Sequence, residues 1–114
     1  MARQTEGMKT KQELAAALLK FYDGKAERWA RCVSGTRENC CAGGALCVIA
    51  GKHPGNMYDY LRRPLHEAAD AIRDLVGDPS VRDIDIAEVI AGWNDKFQTF
   101  HDFEAALKEI AAGV

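Results

Sequence analysis

Leu14, Leu18, Phe21 and Tyr22 recur at the three- and four-residue spacing of one helix face, with Leu19 beside them. Thr10-Lys-Gln-Glu13 precedes them and reads as a capping box. The threonine hydroxyl accepts from the Glu13 amide and the glutamate reaches back, so a helix begins at Thr10. Gly24 stops it. A second short helical piece is predicted through residues 25–33, turning Trp29, Cys32 and Val33 inward. Residues 34–39 are rich in turn formers and read as a loop. From Cys40 to Ala50 the period disappears, because nearly every side chain is small and apolar. A helix apolar on all sides belongs in the middle of a core. Asn39 is its expected N-cap and Gly51 its expected C′ residue. Gly43 and Gly44 each cost about 1 kcal/mol relative to alanine. The expected return is close approach by another helix or by a large ring such as Trp93. A buried strand through residues 45–50 is the competing reading of the same apolar run.

Residues 52–63 form a connection with a single helical turn around Met57 to Leu61. Pro64 suits the first turn of the next helix, whose stripe is Leu65, Ala68, Ala69, Ile72, Leu75 and Val76, with Gly77 at its end. Asp85, with Glu88 three residues on, is the expected cap of a helix carrying Ile86, Val89, Ile90 and Trp93. Thr99 with Asp102 opens the last helix, on the stripe Phe100, Phe103, Leu107 and Ile110. The pattern predicts an all-α fold, a compact orthogonal bundle of about five short helices of about 10–14 residues each. It is expected to form one domain over residues 10–114, after a flexible stretch at residues 1–9.

The chain has 114 residues and a formal net charge of −2. That balance disfavours a dedicated nucleic-acid binder. Small basic clusters remain at Lys9, Lys11, Lys20 and Lys25 and at Arg62 with Arg63. The first residues lack the apolar core of a secretory signal, and no run approaches the ~20 apolar residues of a membrane span. The expected setting is the cytoplasm of a bacterial host, away from the membrane. There the four cysteines Cys32, Cys40, Cys41 and Cys47 are free thiols.

Candidate chemistry is sparse. Cys41 stands at a helix start, where the dipole favours a thiolate, and His53, His66 and His101 supply bases. The spacing of the cysteines does not match a structural zinc site, and Cys40 with Cys47 share one helix face as a packed stripe would. No cofactor and no metal are expected, and core packing is the ordinary role of such cysteines. Trp93, Asn94 and Asp95 follow one another at a helix end. They form either a small-ligand pocket or a structural corner. In the corner, Asn94 ends its helix in the left-handed conformation, and its amide or the Asp95 carboxylate bonds the open amides of the Cys40–Ala50 helix. The corner explains all three residues and is the preferred reading. Met57, Tyr58, Tyr60, Arg62 and Arg63 combine the residue types enriched where proteins bind partners, and they form the expected contact patch; the alternative is that one or both tyrosines pack under the connection.

Trp29, the segment Cys41-Ala-Gly-Gly-Ala-Leu46 and Ile90-Ala-Gly-Trp-Asn-Asp95 followed by Thr99 stand in an order that resembles a family of small actinobacterial and bacteriophage proteins. Its signature is a tryptophan, a Cys-Ala-x-Gly-Ala-Leu segment and a Trp-Asn-Asp before a threonine-capped helix. The resemblance covers residues 10–112 and implies an origin rather than a chemistry. Cys40 and Cys47 depart from the pattern. The resulting expectation is a non-enzymatic protein that binds a bacterial host protein or defence complex and inhibits it. Acidic side chains such as Asp70, Asp74, Asp83 and Asp85 would compete for basic surface. A nucleotide or metabolite binder and a cysteine-dependent hydrolase are the alternatives.

Overall fold

Six α-helical segments and no strand make up the described residues, 10–31, 35–61 and 68–113, of a computed structural model. The helices are α1 (Lys11–Tyr22), α2 (Ala42–Ile49), α3 (Met57–Leu61), α4 (Ala69–Val76), α5 (Ile86–Asp95) and α6 (Phe100–Ala111). Single 3₁₀ turns at Ala26–Arg28, Pro54–Asn56 and Asp83–Asp85 lie between them. Expectations that rest on residues 1–9, on Cys32 and Val33, and on Arg62, Arg63, Pro64, Leu65 and His66 fall outside the described residues.

The chain folds as an all-α bundle of short helices, and extents of 32 × 31 × 30 Å exclude long parallel ones. α1 lies against α6, α4 and α2, and α2 also meets α3 and α5. The all-round apolar sequence of α2 is therefore explained by position. Ala42 through Cys47 are all buried, and Gly43 lets Met57 of α3 come so close that an added Cβ would sit 2.5 Å from its sulfur. Met57, not Trp93, is the neighbour that the glycine admits. Gly51, at φ 81°, ends the helix as expected, with Lys52 N donating to Cys47 O at 2.7 Å.

Caps decide the helix ends. Thr10 Oγ1 accepts from Glu13 N at 3.1 Å, and Thr99 Oγ1 accepts from Asp102 N at 3.1 Å. Asp85 precedes α5 but makes no capping bond; its carboxylate pairs with Arg82 at 2.9 Å. Asn39 does not cap α2 either. Cys41 holds that position, and Asn39 Nδ2 donates to Glu27 O at 2.7 Å and Trp29 O at 3.1 Å. Of the helix expected through residues 25–33, the described part, 25–31, is one 3₁₀ turn at Ala26–Arg28 followed by extended chain at Trp29. Cys40 N donates to Arg28 O at 2.9 Å and Ala30 N to Cys40 O at 3.3 Å, so pairing with the residues before α2 replaces helix bonds.

Phe103 of α6 fills the centre. Its ring is fully buried and meets Tyr22, Trp29, Trp93, Phe97 and Phe100 at centroid distances of 5.2–6.2 Å. It stacks on Trp29, with 22° between the planes, and meets Tyr22, Trp93 and Phe97 edge-on.

Candidate functional site

The fully buried polar side chain among the described residues is Asn94, in the last turn of α5. Its Oδ1 accepts from Trp29 Nε1 at 2.7 Å and from Ala42 N at 3.0 Å. Its Nδ2 donates to Ala30 O at 2.9 Å and to Asp95 Oδ1 at 3.0 Å. A side-chain amide has two lone pairs and two N–H groups to offer, and all four are engaged. Ala42 N is the first amide of α2, so the amide oxygen also meets the positive end of that helix.

Around this side chain three segments meet. Arg31 closes the end of α5, with Nε and a terminal nitrogen donating to Asp95 O at 3.2 and 2.7 Å. The Tyr22 hydroxyl donates to Cys40 O at 2.6 Å, tying α1 to the approach of α2. Trp93, 7% exposed, lies edge-on to Phe97 at 5.2 Å and to Phe103 at 5.7 Å. Trp93, Asn94 and Asp95 therefore form a corner that fixes how α5 crosses α2. Asn94 does this from within the helix. The left-handed turn expected of it does not occur; α5 continues through Asp95, and Lys96 follows with helical angles.

Cys41 lies at the predicted helix start but is shut from solvent, 1% exposed, with its Sγ 3.7 Å from Met57 Sδ. Burial pushes its thiol pKa up, against the pull of the Gly44 and Gly43 amides that a helix start supplies. His53 turns its Nδ1 to accept from Gly55 N at 2.9 Å, and His101 is exposed on α6. Neither is paired with Cys41. Burial raises the thiols of Cys40 and Cys47 to about 12. Among the described residues no group of histidines, cysteines and carboxylates is disposed to hold a metal ion.

The expected contact patch divides. Tyr58 is 44% exposed, but Met57 at 1% and Tyr60 at 8% are core residues, because α3 packs on α2 and α5. Arg62 and Arg63 lie outside the described residues. The acidic side chains are also partly committed within the chain: Asp70 and Asp83 both pair with Arg73, and Asp85 with Arg82. Asp74 remains exposed.

An open groove of about 340 Å³ that no sequence signal marked is lined by Ala17, Lys20, Phe21, Arg28 and Ile49. Lys20 had stood out only as one of the basic residues near the chain's start. Phe21 had read as a core position, and nothing local links them to Arg28.

The family model for a family of unknown function, DUF6197, matches residues 9–113, nearly the whole chain. The chain belongs to that family. No curated protein and no solved structure matches it. No helix of the described residues is long and apolar enough to cross a membrane.

Proposed function

We propose that this DUF6197 protein works by binding another protein, with Tyr58 at the centre of one contact surface. The observation that carries this is the setting of the ring. α3 buries Met57, Tyr60 and Leu61 and leaves Tyr58 44% exposed on its outer side. A tyrosine has only two side-chain torsions to restrict on binding, and tyrosine is among the residues that dominate contact energies. Two further features support the reading. All four hydrogen-bonding positions of Asn94 are spent on internal bonds, and Cys41 is a buried core thiol. In its finer form the partner is a bacterial host enzyme or defence complex whose working surface is masked, a reading that starts from the bacteriophage origin the resemblance implies.

Affinity capture from bacterial lysate by the tagged chain and by its Tyr58→Ala variant tests this. One strong partner is expected, its recovery falling at least about tenfold in the variant, the loss of roughly 1.4 kcal/mol or more. The variant's melting curve is recorded beside the capture, so that lost recovery is read against its own stability. Equal recovery by both proteins would remove Tyr58 from the interface, and no partner at all would overturn the proposal.

A further inference from the structure

The last turn of α1 leaves Phe21 at the edge of the core rather than within it. From the following 3₁₀ turn, Arg28 lays its guanidinium over that ring, 4.5 Å from the centroid. Lys20 is exposed beside them, and Ala17 and Ile49 complete the apolar walls of the 340 Å³ groove. The two cations here differ from those that pair within the chain. Lys25, Arg73, Arg82 and Lys108 each have a carboxylate within ion-pair distance, in a chain of net charge −2. Among the described residues no carboxylate pairs with Lys20 or Arg28, and none lines the groove.

We propose that this groove docks a segment of a partner protein in which an apolar side chain is flanked by carboxylates. It rests on the reading of the protein as a binding protein, at a surface separate from Tyr58. Ala17, Phe21 and Ile49 take the apolar side chain. The Arg28 fork, seated over the Phe21 ring, offers paired N–H donors to a carboxylate, and Lys20 adds a point charge. Pockets for small molecules bring several fixed polar groups to bear on an enclosed ligand. This groove is open, and its described lining includes no buried polar side chain. It therefore fits a chain segment whose remaining contacts lie along the surface.

The test is a titration of the full ¹⁵N-labelled chain with acetyl-Glu-Glu-Leu-Glu-Glu-amide, followed by amide correlation spectra to about 1 mM peptide. Saturable shifts are expected at Ala17, Lys20, Phe21, Arg28 and Ile49. Affinity should fall about fivefold or more in Arg28→Glu, and likewise in Lys20→Glu. It should also weaken as salt is raised. The same peptide with alanine for leucine, or with lysine for every glutamate, should leave these amides in place. Arg28→Glu also removes the contact with Phe21, so its melting curve is recorded. Lys20→Glu alters an exposed side chain and keeps the test valid if Arg28→Glu unfolds. No shifts, shifts elsewhere, or unchanged affinity in Lys20→Glu would overturn the proposal. So would ATP or inorganic phosphate moving the groove amides when the peptide does not. Failure of the peptide with capture through Tyr58 intact removes the groove and keeps the binding function. Peptide binding without capture keeps the groove and removes the Tyr58 surface.

Discussion

Trp29 and Asn94 are 65 residues apart in sequence and 2.7 Å apart in the fold. Their bond satisfies an indole N–H beside the aromatic centre and one lone pair of a fully buried amide. Trp29→Phe keeps most of the ring's packing and removes the donor. We expect a loss of about 1–2 kcal/mol in urea unfolding, the usual cost of leaving one buried acceptor short. A larger loss, near the ~3–5 kcal/mol of deleting an aromatic ring, would mean that packing on Phe103 dominates instead. The sequence leaves Asn94 and Asp95 as alternatives for reaching the first amides of α2, and Asn94 is the one that does. The sequence assigns no partner to Trp29, because a contact over that separation leaves no local trace.

At the scale of the element, α2 shows what was legible. Its helical character, its central place and its glycine terminator all follow from a run of small apolar residues ending at Gly51. The identity of its neighbour does not, since a bare backbone admits any side chain of the right shape. Gly43→Ala tests the contact that the structure shows. Alanine gains about 1 kcal/mol in helix propensity, yet its Cβ would meet the buried Met57 sulfur at 2.5 Å. We expect a net loss of about 1–3 kcal/mol from overpacking. In a Met57→Ala background the same change should be neutral or stabilising, and an equal cost in both backgrounds would refute the contact. The chain after Arg28 departs from the expected helix because the backbone partners of Arg28 and Ala30 lie at Cys40, beyond any helical period. Met57 and Tyr60 have a binding surface's composition but lie on the inner face of α3, which leaves Tyr58 as the exposed member of the patch among the described residues.

The whole molecule is held by one apolar core with neutral thiols in it, and this sets its response to pH. Burial raises Cys40 and Cys47 from 9.0 to about 12, and Tyr22 is raised as well, first by burial and then by Cys40 and Cys41. The folded state therefore binds protons that the unfolded chain releases. The resulting stability is fully present below the unfolded thiol pKa and is lost as pH rises from about 9 towards 12. Unfolding midpoints measured across that range should fall, and a flat profile would contradict the burial of these thiols. Architecture was more readable than function for a physical reason. Periodicity and caps recur along the chain, whereas a binding surface such as that around Tyr58 or the Phe21–Arg28 groove is defined only once distant segments meet.

Equilibrium urea unfolding of Asn94→Ala tests most directly whether the Trp93–Asn94–Asp95 corner is scaffold. The change orphans the Trp29 indole N–H, the Ala42 amide and the Ala30 carbonyl, so we predict a loss of about 3 kcal/mol or more. A variant within about 0.5 kcal/mol of the parent would show that the buried amide does not hold the helices together. The corner would then have to be read as a binding site.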